Sequence, residues 1–196
     1  ERLRAQMKTA GVRAVTAVQV SGFYGFDNRY VLDQSKANPD WIAGVVTLDP
    51  DDPRSPARLA GFANDYGIRA LRSVPGRDGV DAGGVRALWK SALEHSLTVN
   101  VLGGQEHAGA VAKLLGEFPD LPVVLDHALR LEPGGPVVET LAALRRLAEF
   151  GNCHAKISSI ANGPAGCPEG FPCASFQQPI LAVIEMFGPE RCCWGA

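Results

Sequence analysis

The stretch Val123-Val124-Leu125-Asp126-His127 decides the fold of this chain. Its first residues are typical of a buried parallel strand, and two ionisable side chains stand where that strand should stop. Two interpretations are open for these side chains. Either Asp126 and His127 carry chemistry at the end of the strand, or His127 is a hydrogen-bonded structural residue and Asp126 caps the turn.

Short β-rich runs alternate with longer amphipathic stretches along the whole chain. In one such stretch, Val85, Leu88, Trp89 and Ala92 recur at helical spacing and predict a helix face turned to the core. Strands separated by helices indicate a parallel sheet. The predicted strands are Ala14–Val20, Ile42–Leu48, Ile68–Val74, Leu97–Leu102, Pro122–His127, Cys153–Ser159 and Arg191–Trp194.

This alternation runs on without a linker or a shift in composition, which predicts a single domain over residues 1–196. The predicted fold class is α/β, as an incomplete (β/α)₈ barrel with about seven strands present. The chain is shorter than the ~250 residues of a typical barrel, opens inside a helix and stops directly after a strand. We therefore expect it to be truncated at both ends, lacking the first strand and everything after the last one.

An open doubly wound sheet is the rival architecture. It would normally bind a nucleotide at a glycine-rich turn, but Gly83-Gly84 and Gly103-Gly104 are lone pairs outside any G-x-G-x-x-G or P-loop pattern. In a barrel, the active site lies at the carboxyl ends of the strands, so an Asp126-His127 pair is well placed for catalysis.

The composition excludes several classes of protein. The chain has 196 residues, 46% of them hydrophobic and 20% charged, with a formal net charge of -2. This globular profile has no basic field, so nucleic acid is a poor partner. No apolar run approaches the ~20 residues of a membrane span, and the first residues lack the apolar core of a signal peptide. We expect a cytoplasmic protein without a membrane partner, and a homo-oligomer stays open.

The five cysteines show no framework spacing. Three of them fall in apolar strands and are explained by core packing: Cys153, Cys192 and Cys193. Cys167 and Cys173 lie in a Pro/Gly loop, where they could form a disulfide or bind a metal ion together. Since a cytosolic setting disfavours disulfides and no second ligand pair is visible, we expect two reduced thiols. Their segment, Gly163–Gln177, is predicted as an irregular loop over the rim.

Polar side chains at the predicted strand ends can hydrogen-bond and polarise an oxygenated substrate. They are Gln19, Ser21, Tyr24, Asp49, Arg72, Ser73, Asn100, Asp126, His127, Lys156 and Ser158. This set contains no H-x-H, H-x-x-E-H or G-x-S-x-G, so neither a self-contained metal site nor a serine triad can be written from it. The other histidines, His95, His107 and His154, are predicted to be structural or solvated.

Five segments follow one another in an order and spacing found in a known family. They are Val18-Gln19-Val20-Ser21, Tyr24-Gly25-Phe26-Asp27-Asn28, Val45-Val46-Thr47-Leu48-Asp49-Pro50, Val124-Leu125-Asp126-His127 and Phe187-Gly188-Pro189-Glu190-Arg191-Cys192-Cys193-Trp194-Gly195. Together they resemble an amidohydrolase-related protein, in the branch that includes 2-pyrone-4,6-dicarboxylate lactonase and fuconolactonase-like hydrolases. The resemblance covers nearly the whole chain.

The resemblance implies a distorted (β/α)₈ barrel that hydrolyses lactones or related C–O and C–N bonds. The family's centre consists of a first-strand H-x-H, a histidine on the fifth or sixth strand, and an Asp after the Trp-Gly-Ser of the eighth strand. Of these, His127 alone can be matched, since the H-x-H would precede Glu1 and the Asp would follow Ala196. The strand around Asn100 lacks a histidine that metal-dependent members often have. We therefore assign no metal ligand and no cofactor to this chain. A divalent metal such as zinc stays an alternative for a full-length parent.

The resemblance therefore predicts a hydrolase for a carboxylated lactone or a similar cyclic ester, a small-molecule substrate. His127 is the predicted catalytic residue and polarises the carbonyl, while the missing Asp takes a proton from water. Arg72 and Arg130 are candidate anchors for a substrate carboxylate, Lys156 could play the same role, and an ordinary loop charge is the alternative for Arg130. The predicted substrate-binding residues are Gln19, Tyr24, Asn28, Arg72, Asn100, Arg130 and Lys156.

Asp27 is expected to cap the helix that follows it, so Tyr24 and Asn28 are carried over only as pocket residues. Two alternatives to the lactonase stay open. One is a metal-dependent decarboxylase of the same superfamily, which sister branches contain. The other is a catalytically inactive piece. We predict that the full-length parent is an enzyme and that the 196-residue chain alone is inactive.

Overall fold

The computed structural model describes residues 2–158, 167, 169–170 and 172–195. These residues form one sheet of parallel strands whose spatial order is their order along the chain. The strands are β1 (Val15–Val18), β2 (Ile42–Thr47), β3 (Ala70–Ser73), β4 (Thr98–Val101), β5 (Val123–Leu125), β6 (Cys153–Ile157) and β7 (Cys192–Trp194). All seven predicted strands are confirmed, and Asp126 and His127 lie just beyond β5.

Helices connect successive strands, as parallel pairing requires. They are α1 (Arg2–Thr9), α2 (Ser21–Tyr24), α3 (Arg29–Ala37), α4 (Ser55–Tyr66), α5 (Gly83–Glu94), α6 (Ala108–Glu117), α7 (His127–Arg130), α8 (Val137–Leu147) and α9 (Gln177–Phe187). Sequence signals explain where several of them begin and end. In α4, Pro56 occupies the first turn, and Gly67 ends the helix in the left-handed conformation that glycine adopts readily.

The apolar core lies between the sheet and the longer helices. The predicted stripe on α5 is confirmed, because Val85, Leu88, Trp89 and Ala92 are all buried. The indole Nε1 of Trp89 donates a hydrogen bond to Ser73 Oγ at 3.0 Å, which satisfies its one polar atom. None of the described helices is long and apolar enough to cross a membrane.

The sheet curls around a cavity of about 790 Å³. Each strand contributes lining side chains, among them Val18, Val45, Arg72, Asn100, Val124, Lys156 and Cys193. Parallel strands in consecutive order with helices outside form the wall of a (β/α)₈ barrel. Within the described residues, β1 and β7 do not pair with each other, so the barrel is incomplete.

The expected pair of reduced thiols is wrong, because Cys167 and Cys173 form a disulfide. The Gly170 amide donates to Cys167 O at 2.8 Å and the Cys173 amide to Gly170 O at 2.9 Å, and the Cα atoms of the two cysteines lie 5.4 Å apart, within the range that a disulfide spans. Residues 163–166, 168 and 171 of the predicted Gly163–Gln177 loop lie outside the described residues. Its described end contains a 3₁₀ turn at Ala174–Phe176, and α9 begins at Gln177.

The other three cysteines differ in their surroundings. Cys153 is a packing residue as predicted, and burial raises the pKa of its thiol to about 12. Cys192 is partly buried against the core. Core packing is the wrong explanation for Cys193, which is exposed because it lies on the inner face of β7 and lines the cavity.

Candidate active site

A buried carboxylate, that of Asp126, organises the carboxyl edge of the sheet. Asp126 directly follows β5 and is 0% exposed. Its Oδ2 accepts a hydrogen bond from Arg72 Nε at 3.0 Å, and its Oδ1 accepts one from Asn100 Nδ2 at 3.2 Å. The Lys156 ammonium forms an ion pair with the same Oδ1. We refer to Arg72, Asn100, Asp126 and Lys156 as the Asp126 cluster.

Strand register explains why these side chains meet. Arg72 on β3 pairs with Asn100 on β4, so the two stand at one level of the sheet. Leu125 on β5 pairs with Ala155 on β6. The aspartate and the lysine of the cluster are the next residues on those chains and therefore also stand level. The cluster is thus assembled from four neighbouring strands, and residues far apart in sequence meet at one edge.

The cluster keeps an excess positive charge. Arg72 and Lys156 supply two positive charges and Asp126 one negative charge, which leaves one. Removing a carboxylate from water costs several kcal/mol unless the group is paired and hydrogen-bonded, and here two cations and an amide meet that need. The interpretation of Asp126 as a turn cap is wrong, because its side chain makes no capping hydrogen bond to the following turn.

The turn after Asp126, α7, is left-handed. His127, Ala128, Leu129 and Arg130 have φ angles of 55°, 45°, 56° and 57°. A non-glycine residue in this conformation costs roughly 1–2 kcal/mol, and four in succession are rare. Burial of the second and third side chains and hydrogen bonds from the Leu131 amide to the carbonyls of His127 and Ala128 hold the turn.

This turn carries His127 to the cavity wall. The side chain is half-buried and lines the cavity. Its Nδ1 lies 2.7 Å from Ser158 Oγ, which follows β6. The pKa of His127 is lowered, chiefly by burial, so the neutral imidazole predominates at neutral pH. Four charged side chains also act on it: Asp126 raises the pKa, whereas Lys156, Arg72 and Arg130 lower it.

Two buried amides hold the segment at residues 20–28, which we call the rim segment. Gln19 Nε2 donates to the carbonyl oxygens of Gly25 at 2.8 Å and Asp27 at 3.1 Å. Asn28 Nδ2 donates to Thr47 O at 2.8 Å, and Asn28 Oδ1 accepts from Thr47 N at 2.9 Å. Both side chains therefore bind main-chain atoms of this protein and fix the loop after β1.

The rim segment presents aromatic side chains to solvent. Phe23 is 88% and Tyr24 58% exposed. Asp27 Oδ1 accepts a hydrogen bond from the Arg29 amide at 3.0 Å, which is the expected cap at the start of α3. The rim segment thus combines a fixed backbone with exposed aromatic side chains, and it directly follows β1.

The structure brings some of the predicted site residues together and leaves others apart. Arg72, Asn100 and Lys156 meet in the Asp126 cluster, and Gln19 joins it through its carbonyl oxygen, 3.4 Å from Arg72 Nη1. Arg130 is exposed on the left-handed turn. Asp49 lies outside the cluster, because its carboxylate accepts a hydrogen bond from the Asp51 amide in a tight turn.

The sequence places Ser158 among the polar strand-end residues but gives it no specific role, and it does not reveal Asp126 as the organising carboxylate. Both residues follow a predicted strand directly, and that position was the available signal. What the sequence could not supply was the pairing, because Ser158 meets His127 from a strand 31 positions further along the chain.

Comparison with known proteins decides the family. A family model described as Amidohydrolase matches residues 1–196. The chain belongs to the amidohydrolase family. The predicted resemblance is thereby confirmed.

Known amidohydrolases resemble the chain in sequence and in fold. It is 26% identical over 175 residues to an L-fucono-1,5-lactonase from Burkholderia ambifaria, covering 87% of this chain and 59% of the lactonase. It thus spans little more than half of that curated relative. A crystal structure from Pseudomonas putida, assigned as a 2-pyrone-4,6-dicarboxylic acid hydrolase, superposes with a TM-score of 0.80 at 28% identity, covering all of this chain and 70% of that one. The 5-carboxyvanillate decarboxylase of Sphingomonas paucimobilis shares the fold, with a TM-score of 0.65 at 16% identity over 100% of this chain and 71% of the decarboxylase.

The described part of this amidohydrolase does not form a metal site. Within residues 2–158, 167, 169–170 and 172–195, no three His, Cys, Asp or Glu side chains are grouped to hold an ion. Both oxygens of Asp126 are engaged by cations and an amide, and Nδ1 of His127 is engaged by Ser158. We therefore derive no chemical step through a metal ion from these residues.

Proposed function

We propose that this amidohydrolase provides the carbonyl-activating and substrate-binding part of a hydrolase for a carboxylated lactone or similar cyclic ester. The observation that carries the proposal is the neutral, half-buried imidazole of His127, held at the carboxyl edge of the sheet beside a cluster with excess positive charge. The lactonase from Burkholderia ambifaria and the dicarboxylic acid hydrolase from Pseudomonas putida support the same reaction class.

His127 is proposed to activate the ester carbonyl. A neutral imidazole can donate one N–H hydrogen bond to the carbonyl oxygen, and that bond strengthens as water attacks and negative charge develops on the oxygen. The low pKa of His127 keeps it neutral, so its role is donation of a hydrogen bond rather than presentation of a charge. Asp126 is not the base in this scheme, because its two oxygens already accept from Arg72, Asn100 and Lys156.

The charge at the site favours an anionic substrate. The Asp126 cluster retains one positive charge, and exposed Arg130 adds a second beside His127. A guanidinium can bind both oxygens of a carboxylate, so Arg130 is the proposed primary anchor. Arg72 and Lys156 act mainly through Asp126 and contribute electrostatic attraction. Gln19 and Asn28 are proposed to position the rim segment, and Tyr24 to line the opening.

The test is an assay with a lactone carboxylate and the matching lactone without the carboxylate. It uses the longest natural protein that contains this chain, and the 196-residue chain beside it, which we propose to be inactive alone. His127→Asn should lower kcat/KM for the carboxylated lactone by on the order of 10²-fold or more. The matched control is His95→Asn, since His95 directly follows α5 and its Nδ1 lies 2.9 Å from Ser91 O.

Three results would count against the proposal. Unchanged kcat/KM in His127→Asn removes this residue from the mechanism. Equal rates on the charged and uncharged lactones remove the carboxylate requirement. Release of carbon dioxide from an aromatic acid, abolished by chelator, without ester hydrolysis favours the decarboxylase alternative, which rests here on fold similarity alone.

A further inference from the structure

We propose that Ser158 is a positioning residue that donates its hydroxyl proton to His127 Nδ1 and thereby keeps the imidazole proton on Nε2. One part of the inference rests on the proposed function, namely that Nε2–H donates a hydrogen bond to the substrate carbonyl. The tautomer itself is a property of this chain without substrate.

The contact joins the ends of two neighbouring strands. His127 lies two residues beyond β5 and Ser158 one residue beyond β6, and those strands are paired up to Leu125 and Ala155. The 2.7 Å separation of Nδ1 and Oγ is a short hydrogen bond. Ser158 is 4% exposed, so water does not compete strongly for its hydroxyl group.

The direction of the hydrogen bond follows because the hydroxyl proton of Ser158 requires an acceptor. A buried donor without an acceptor is rare and costly. Within the described part of the chain, Ser158 Oγ has no hydrogen-bond partner other than His127 Nδ1. If Nδ1–H donated to Ser158, the hydroxyl proton would therefore have no acceptor there. Donation from Ser158 satisfies the proton, and the unprotonated Nδ1 is its acceptor.

The surrounding charges favour a neutral ring, which this bond requires. Lys156, Arg72 and Arg130 each oppose a positive charge on His127, and Asp126, which favours that charge, is already paired with two of these cations. In a neutral imidazole one nitrogen donates and the other accepts. With Nδ1 accepting from Ser158, Nε2 carries the proton.

The consequence is a preset hydrogen-bond donor. The left-handed turn fixes the main chain of His127, and Ser158 fixes the rotation and the tautomer of its ring. Nδ1 faces Ser158, so Nε2 is the nitrogen left for a ligand in the cavity. A ring with its proton on Nδ1 would instead offer Nε2 as a bare acceptor, the form that binds a metal ion.

Nitrogen-15 NMR of the imidazole distinguishes the two tautomers in the substrate-free protein. We expect His127 of the wild type to show a protonated Nε2 and an unprotonated, hydrogen-bonded Nδ1 above its pKa. Ser158→Ala should shift both resonances towards a mixture of tautomers and raise the pKa of His127, because the bond that stabilises the neutral ring is lost. Ser158→Thr keeps the hydroxyl and should restore the wild-type pattern.

The matched control is Ser73→Ala, which removes another buried hydroxyl, one that accepts a hydrogen bond from Trp89 instead of contacting His127. Its His127 resonances should not move. A wild-type ring with its proton on Nδ1 overturns the proposal, and this reading does not depend on whether Ser158→Ala folds. Resonances of His127 that are the same in folded Ser158→Ala and wild type also overturn it.

Kinetics separate this proposal from the proposed function. If the protein hydrolyses a carboxylated lactone, Ser158→Ala should lower kcat/KM about tenfold, the effect of one lost hydrogen bond, and Ser158→Thr should recover it. The expected tautomer in a protein that hydrolyses no lactone supports the role of Ser158 and contradicts the lactonase. Lactone hydrolysis by a protein whose His127 carries its proton on Nδ1 supports the lactonase and contradicts the role of Ser158.

Discussion

Asp126 shows how one residue can determine the arrangement of a whole strand edge. Its carboxylate neutralises one of the two positive charges of Arg72 and Lys156, which would otherwise repel each other, and it accepts a hydrogen bond from the Asn100 amide. The same bonds hold the residue that precedes His127. The position of the candidate catalytic group therefore depends on a side chain that is not proposed to react.

The first prediction concerns the charge of Asp126. Asp126→Asn keeps the shape but leaves Arg72 and Lys156 without a counter-charge, and breaking a buried ion pair in this way typically destabilises a protein by about 3–5 kcal/mol. We expect a loss of that size in the free energy of unfolding, measured by chemical denaturation. Glu117→Gln, which breaks an exposed pair with Arg86, should change stability little. Equal losses in the two variants would contradict the organising role of Asp126.

The second prediction concerns pH. The pKa of His127 is lower in the folded chain than its ordinary value of about 6.5, so the unfolded chain binds more protons than the folded chain between the two pKa values. The contribution of His127 to stability is therefore fully present above pH ~6.5 and is lost as the pH falls through the folded pKa. Wild type should lose more stability on acidification than His127→Asn, and asparagine tolerates the left-handed conformation of this position. Parallel loss in both proteins would show that other groups control the response.

At the scale of elements, the left-handed turn α7 is the feature that the sequence does not reveal. Helical propensity describes right-handed helices, and His127-Ala128-Leu129-Arg130 contains no glycine to indicate positive φ angles. The turn is stabilised by the buried Leu129 and follows a residue fixed from β3, β4 and β6. These are long-range contacts, which local patterns do not contain.

The strands themselves are predictable for the opposite reason. Each is a short, largely apolar run bounded by turn residues, a pattern that local composition contains, and β2 to β6 are buried for the most part. The sequence therefore also predicts which polar residues lie at the strand ends. The partners of Asp126, Asn28 and Ser158 come from other strands, so the roles of these residues become visible only in the assembled sheet.

The third prediction tests the strain in α7. Arg130 is exposed with φ 57°, a conformation that glycine adopts freely and alanine does not. Arg130→Gly should be more stable than Arg130→Ala by about 1 kcal/mol in chemical denaturation, the reverse of their usual order in a helix. Both variants lose the guanidinium, so they should bind an anionic ligand equally poorly. A more stable alanine variant would show that the turn is not left-handed in solution.

At the scale of the whole molecule, the disulfide predicts how many cysteines of the chain react with a thiol reagent. Cys167 and Cys173 are bonded, and Cys153, Cys192 and Cys193 are free. As the fourth prediction, a thiol reagent added to the unfolded, unreduced protein should modify three thiols per chain, and all five after reduction. Five reactive thiols before reduction would show that the bond is absent in the protein as purified, as expected for a reducing compartment.

The two buried amides that hold the rim segment separate its backbone from its side chains. Gln19 and Asn28 bind main-chain atoms, which every amino acid carries, so the path of the loop does not depend on which residues occupy positions 23 and 24. Phe23 and Tyr24 are exposed and contribute little to the core. Mutation at these two positions can therefore change the exposed surface after β1 while the scaffold stays intact, which makes the rim segment a suitable place for libraries that seek a new substrate range.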